Sequence, residues 1–226
     1  MTTLGLIGSG HIGSTVAKLA VAAGYDVVLS NSRGPETLGD LVAELGEKAR
    51  AATAEEAALA GDIVVVSIPV KNFRDVPVAP LAGKVVIDTG NYYPARDGQI
   101  AELDSGASTT TELVAGHLSG ARVVKGFNNI FFRHLAELAR PSGADDRSAI
   151  VIAGDDQDAK KSVTEFLDAI GYDTLDAGSL ADSWRFEPGT PAYGLLYAGG
   201  AENFMEEPGH PTGAAALREA LDAAQR

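Results

Sequence analysis

A chain of 226 residues, 45% of them hydrophobic, is long enough to bury a full core, as one large α/β unit or as a nucleotide domain with a small companion. Its 31 acidic against 18 basic residues give a formal net charge of -13, which argues against nucleic acid or anionic membrane as partners and requires a local cationic site for any anionic ligand. Cysteine is absent, which excludes disulfides, thiolate metal sites and a cysteine nucleophile.

Thr3 to Ile7 reads as a short apolar strand set directly against Gly8-Ser9-Gly10-His11-Ile12-Gly13. In this G-x-G-x-x-G turn Gly8 permits the sharp exit from the strand and Gly10 lets the backbone approach a pyrophosphate. Gly13 lets the following helix pack close to the sheet. The helix shows apolar spacing at Ile12, Val16, Leu19, Ala20 and Ala23, and Gly24 ends it. A pyrophosphate would sit on its first amide N–H groups, which lack intrahelical partners, so Gly8, Ser9, Gly10, His11, Ile12 and Gly13 are expected to bind a dinucleotide. The second strand, Asp26 to Ser30, ends without the Asp or Glu that would accept hydrogen bonds from the ribose hydroxyls of NAD. Asn31, Ser32 and Arg33 stand there instead, and a guanidinium makes forked, charge-assisted bonds to a phosphate, so NADP is favoured over NAD. The plainer alternative is a solvated turn, since Gly34-Pro35 marks one by itself.

Glu36 to Leu45 is a helical pattern closed by Gly46, Ala49 to Ala52 a short third strand, and Ala54 to Leu59 a helix. Asp62 to Pro69 is a continuous β-branched run of the kind buried on both faces, and Lys84 to Asp88 is another strand after a proline-rich crossover. The alternation predicts a doubly wound parallel sheet of the Rossmann type with right-handed crossovers. Ligands bind outside the carboxyl ends of such strands, which adds Ser67, Ile68, Pro69 and Asn91 to the cofactor residues. Asn91 is read either as a partner of the nicotinamide amide or as a capping residue, and at least one of Tyr92 and Tyr93 as packing.

Past residue 105 the pattern continues with a helix through Thr111 to Leu118, strand Arg122 to Lys125, helix Ile130 to Leu138, strand Ala149 to Ala153, helix Asp158 to Ile170 and strand Asp173 to Asp176. A final helix, Gly213 to Ala224, has a polar face to set against the body or a second subunit, as in a homodimer. The expected organisation is a dinucleotide-binding domain over residues 1–120 and a smaller α/β part over 121–226 on the acceptor side. No apolar run approaches the ~20 residues of a membrane span, and Met1 stands directly before the first strand, so a cytoplasmic protein is expected.

There is no Tyr-x-x-x-Lys pair, since Arg96 follows Tyr92 and Asp97 follows Tyr93 at that spacing. Lys125 and Asn129 match a Lys-x-x-x-Asn spacing, but Gly126 makes Lys125 a strand-end lysine. Phe127, Phe131, Trp184 and Phe186 either line a pocket for a planar ring or pack in the core, the latter being commoner. His117, His134 and His210 lack the close spacing of a metal site, so no metal is expected.

Gly126-Phe127-Asn128-Asn129, Asp176-Ala177-Gly178-Ser179-Leu180 and Glu187 to Pro191, together with the glycine turn and Ser32-Arg33, carry a resemblance over most of the chain. The chain resembles the NADP-dependent coenzyme F420 reductase family, whose relatives include the cytosolic domain of NADPH-dependent ferric reductases. The resemblance implies hydride exchange between nicotinamide C4 and the C5 carbon of a deazaflavin, coenzyme F420, with Asn128 and Thr190 positioning the partners beside Asn91, which strand-end topology places there, and Thr190-Pro191 closing the acceptor side. Such a transfer asks little of side chains beyond position and electrostatics. A histidine commonly stands in those reductases where this chain has Asn128, and a serine near Pro188. These departures leave a flavin, an imine or a carbonyl compound open as the small-molecule acceptor, alongside a non-catalytic NADP(H)-binding regulator.

Overall fold

Runs rich in valine, isoleucine and leucine form strands where both faces are covered, because branched side chains suit a pleated, buried backbone. The computed structural model describes residues 2–226. In chain order β1 (Thr3–Ile7), α1 (His11–Ala22), β2 (Asp26–Ser30), α2 (Gly39–Leu45), β3 (Ala49–Ala51), α3 (Ala54–Ala60), β4 (Ile63–Val66) and β5 (Val85–Asp88) alternate. Two four-residue helices, α4 (Pro94–Asp97) and α5 (Ala101–Asp104), lead to α6 (Thr110–His117), β6 (Arg122–Lys125), α7 (Phe132–Glu137), β7 (Ala149–Gly154), α8 (Gln157–Ala169), β8 (Asp173–Asp176) and α9 (Ala214–Ala223).

Thr-x-x-Glu sequences start two of the helices. Thr53 Oγ1 accepts from the Glu56 N–H at 3.2 Å while the Glu56 carboxylate accepts from the Thr53 N–H at 2.9 Å, and Thr109 with Glu112 repeats the arrangement at α6. The pattern over Glu36 to Leu45 divides into a 3₁₀ turn, Pro35–Leu38, and α2. Helix α7 starts at Phe132 rather than Ile130, because the residues before it are taken up in a turn at the site.

The strands form one sheet in the order β3-β2-β1-β4-β5-β6-β7-β8. Strands β1 to β6 are parallel, and alternate residues point to opposite faces. Leu4, Leu6, Leu29, Val65 and Ile87 meet Val16, Ala17 and Ala20 of α1 and Val163 and Phe166 of α8, whereas Ile7, Val64, Val66 and Val86 meet Val114 and Leu118 on the other side. Helices thus cover both faces, and the architecture is Rossmann-like α/β.

The last two strands depart from the parallel alternation. Strand β7 is antiparallel to β6 and pairs only through Val124 with Gly154 and Lys125 with Ala153, and β8 runs parallel to β7. Two carboxyl ends that overlap by two residues place the remainder of β7 beyond the ends of the parallel strands. The chain need not recross the sheet after β6, so the carboxyl-terminal part stands over the crevice. The sheet itself is unbroken at residue 120, since Val85 to Asp88 pair with Arg122 to Lys125.

The order of strands reverses between β1 and β4, and there the crevice opens. Ile7 is in register with Ser30 and Val66, and Val66 with Asp88, so Gly8, Asn31, Ser67 and Thr89 leave the sheet at one level. Among the described residues no helix is long and apolar enough to cross a membrane.

Candidate functional site

Each glycine of the first turn meets a different neighbour. Gly8 has φ +102°, and a Cβ there would lie 2.2 Å from the Ser67 carbonyl oxygen, so the turn and the β4 exit touch backbone to backbone. A Cβ on Gly13 would lie 2.1 Å from the Gly8 carbonyl, which is the close helix-to-turn packing expected of the third glycine. A Cβ on Gly10 would meet nothing within 4 Å. Gly10 is also the N-cap of α1, with no side-chain cap and no acid in the first turn of the helix. The positive end of α1 therefore faces open space.

Ser9 Oγ donates to the Ser30 carbonyl at 2.9 Å, tying the glycine turn to the end of β2. Asn31 is a builder of the next turn: its Oδ1 accepts from the Arg33 N–H at 2.9 Å and its Nδ2 donates to Thr37 Oγ1 at 2.8 Å. Ser32 and Arg33 are exposed, and the Arg33 guanidinium has no protein partner among the described residues. Gly8 to Gly10, Asn31 to Arg33 and Ser67 to Pro69 line one cavity of about 320 Å³. Asp75 also lines it, so among the described residues the cavity carries one acid as well as one free cation.

A second cavity, of about 510 Å³, shares Gly10 and Ser67 to Pro69 with the first and adds His11, Ile12, Asn91 and Asn128. Its far wall is aromatic. The Phe132 ring stacks on His11 at 4.3 Å and 15°, Phe131 meets Phe132 edge-on at 4.5 Å, and Phe204 meets both Phe131 and Tyr193 at 6.1 Å. Of the four aromatic residues read from the sequence, Phe127 and Phe131 line this cavity, Phe186 is core and Trp184 lies elsewhere with Arg226 over its ring.

Phe127 adopts φ +61°, the one non-glycine residue with positive φ among those described, and this strained turn delivers Asn128 to the cavity. Asn128 is 3% exposed. Its Nδ2 donates to the Phe186 carbonyl at 2.9 Å and to Asn91 Oδ1 at 3.2 Å, and Asn91 Nδ2 donates to the Asn128 carbonyl at 2.7 Å. The two amides thus hold each other, while Asn128 Oδ1 is buried without a protein partner among the described residues.

The turn Glu187 to Thr190 lies outside both cavities; Thr190 Oγ1 donates to the Glu187 carbonyl at 2.8 Å and so closes its own turn. Tyr193 and Gly194 face the larger cavity in its place, fastened by the Gly194 N–H to the Asn129 carbonyl at 2.9 Å and by Asn129 Nδ2 to the Ala192 carbonyl at 3.0 Å. Arg96, Tyr193, Phe204 and Met205 were not singled out in the sequence. Two of them lie in a glycine- and proline-rich stretch, and an Asn-Phe-Met run there was the available signal.

Lys125 is fully buried, at the end of β6, and donates to the Gly90 carbonyl at 2.8 Å and to Glu187 Oε1 at 3.1 Å. It braces the crevice from behind and does not line it. His117 Nε2 bonds the Val76 carbonyl and His134 Nε2 the Glu207 carbonyl. Among the described residues no three His, Cys, Asp or Glu side chains come together as a metal site.

Residues 3–92 match the family described as NADP oxidoreductase, coenzyme F420-dependent. It is 28% identical over 219 residues to the metalloreductase STEAP3 of Rattus norvegicus, a match that covers 90% of this chain and 42% of that protein. The chain spans about two fifths of the length of the curated relatives it matches. Among solved structures, a hypothetical protein of Sinorhizobium meliloti superposes with TM-score 0.74 at 31% identity, covering 85% of this chain and 93% of the other. A proposed F420-dependent NADP reductase of Arthrobacter sp. FB24 superposes with TM-score 0.68 at 21% identity, covering 81% and 87%, and shares the fold.

Proposed function

We propose that this chain, whose residues 3–92 match the coenzyme F420-dependent NADP oxidoreductase family, binds NADP(H) across the two adjoining cavities. There it exchanges a hydride with a flat acceptor of the deazaflavin type. The observation that carries the reading is the junction itself: one cavity with a free guanidinium and an uncapped helix end opens, at Gly10 and Ser67 to Pro69, into another walled by aromatic rings. The family match supports the nucleotide half.

In this reading the pyrophosphate lies against Gly8, Ser9, Gly10, His11, Ile12 and Gly13, where the space above Gly10 and the positive end of α1 suit an anion. Arg33 and Ser32 take the 2′-phosphate, and Asn31 acts through the turn that presents them. The nicotinamide ring passes Ser67, Ile68 and Pro69, and its carboxamide N–H groups suit the unpartnered Asn128 Oδ1. NADPH supplies the hydride from its C4. The chain supplies placement: Asn91 steadies Asn128, and the stacked rings of His11 and Phe132 with Phe131 and Phe204 hold a planar acceptor and exclude water. Thr190 contributes only through the turn that leads to Tyr193.

The test is anaerobic oxidation of NADPH by the purified protein with coenzyme F420, FMN, FAD, a ferric chelate and a cyclic imine, beside titrations with NADP and NAD. Turnover with the deazaflavin is expected. Turnover confined to another acceptor reassigns the second substrate, and tight NADP binding without any turnover makes the protein a nucleotide-responsive regulator.

A further inference from the structure

Among the described residues, two phenols in the larger cavity have no hydrogen-bond partner for their hydroxyls except each other. Tyr93, in the loop after β5, and Tyr193, in the carboxyl-terminal segment, are hydrogen-bonded hydroxyl to hydroxyl. Tyr92, Tyr172 and Tyr197 instead place their protons on fixed protein acceptors: Gly98 O and Asp104, Leu135 O, and Ala149 O. A phenol carries one O–H donor. The pair therefore holds two protons, of which one lies between the oxygens and the other has no acceptor among the described residues. Both residues line the larger cavity, so that second proton is available to a molecule bound there. The Arg96 guanidinium stands 4.9 Å from the Tyr93 ring centroid, anchored to the Asn91 carbonyl at 2.6 Å and to Asp97, and favours negative charge on the pair. Burial first, and then the bond to Tyr93, hold the Tyr193 hydroxyl above the ordinary phenol range, so it is protonated at neutral pH.

We infer that the Tyr93–Tyr193 pair is the proton donor to the acceptor, and that the acceptor belongs to the class in which a hydride on carbon is answered by a proton on a conjugated ring nitrogen or oxygen. This rests on the hydride-transfer reading above. For a deazaflavin the balance is as follows. Hydride joins C5, the C4a–C5 π pair becomes the C4a–C10a double bond, and the C10a–N1 π pair settles on N1. N1 takes the phenol proton, and the phenolate regains one from water, so NADPH loses two electrons and the acceptor gains two electrons and two hydrogens.

Tyr93→Phe and Tyr193→Phe each leave one phenol in the cavity, and the double variant leaves none. A donor role predicts that at least one single variant keeps kcat within about threefold while the double variant loses about a hundredfold or more, with NADP affinity unchanged. A merely structural link between the two segments predicts that each single variant is as damaged as the double one, and that result overturns the inference. Binding of 5-deazariboflavin to the protein–NADP mixture, read by fluorescence quenching, gives a readout that needs no turnover. About fivefold weaker binding is expected in the double variant and not in both single ones. If the parent oxidises NADPH with no acceptor, the hydride-transfer reading falls and the pair is judged on that binding alone. Equal dissociation constants for parent and double variant then overturn it.

Discussion

Gly10 and Gly13 stand three residues apart in one turn and answer to different neighbours. A Cβ at Gly10 meets no protein atom within 4 Å, and aspartate is a favoured N-cap with a charge suited to the helix end. Gly10→Asp is therefore expected to melt no lower than the parent while losing NADP by more than tenfold, because its charge occupies the proposed anion site. Gly13→Ala is expected to do the reverse in kind, destabilising by about 1–3 kcal/mol because its methyl group runs into the Gly8 carbonyl. Thermal melts beside nucleotide titrations separate the two, and a Gly10→Asp protein that binds NADP normally puts the nucleotide elsewhere. Arg33 has no structural duty in the turn, which Asn31 and Thr37 maintain. Arg33→Ala should weaken NADP by about 10- to 100-fold, the worth of a charge-assisted contact of roughly 1.5–3 kcal/mol, and leave NAD unchanged. The close packing at Gly8 and Gly13 and the position of Arg33 were legible beforehand, since a glycine turn and a strand-end residue act through local backbone geometry. Thr190 was not, because its neighbours in space come from a turn whose direction no local pattern reveals.

At the level of elements, the ends of helices are fastened by side chains that the sequence spacing displays. Ser179 and Asp182 close the turn after β8, the carboxylate accepting from the Ser179 hydroxyl at 2.6 Å and its N–H at 2.8 Å. Those bonds hold the Asp182 carboxyl below the ordinary range, with the Ser179 hydroxyl the largest cause. A lowered folded-state value means that its stabilisation is complete above the unfolded-state pKa and fades as pH falls through the folded one. Asp182→Asn should accordingly flatten the loss of stability in acid, which melts across a pH series would read. Lys84 works at the other end of a helix. Its ammonium donates to Ala58 O, Leu59 O and Gly61 O at 2.8, 2.6 and 2.7 Å, three carbonyls at the carboxyl end of α3. Lys84→Met is expected to cost about 1.5–3 kcal/mol in urea unfolding, and an unchanged midpoint would remove this cap from the account.

Over the whole molecule, the carboxyl-terminal part shares the core of the parallel sheet through α8 and is fastened at the crevice by specific polar links. Lys125 is fully buried and Glu187 19% exposed across their ion pair. The asymmetry of exposure predicts an asymmetry of consequence. Glu187→Ala strands a buried ammonium beside the single carbonyl of Gly90 and should cost about 3–5 kcal/mol, whereas Lys125→Met removes the buried charge and leaves a carboxylate that water reaches, at a smaller cost. Equal losses in denaturant would show that the pair is solvated in practice. Glu187 also accepts from the Thr110 N–H at 3.2 Å, so Glu187→Ala loosens the start of α6 together with the turn that leads to Tyr193. Turnover should then fall more than NADP affinity, since none of Lys125, Glu187 and the turn leading to Tyr193 lines the nucleotide cavity.

The sequence by itself determined the alternating strands and helices through β6, the glycine turn and the arginine at the end of β2. All of these follow from periodicity and backbone freedom within a few residues of each other. Only the tertiary structure decided that β7 runs against β6, because strand direction depends on where the chain must return, and residues 126–148 carry no pattern that states it. The same packing decided that Arg96, Tyr193, Phe204 and Met205 share a cavity with His11 and Asn128. Side chains from segments up to 194 residues apart can be assembled only once the reversed strand has carried the carboxyl-terminal segment over the crevice.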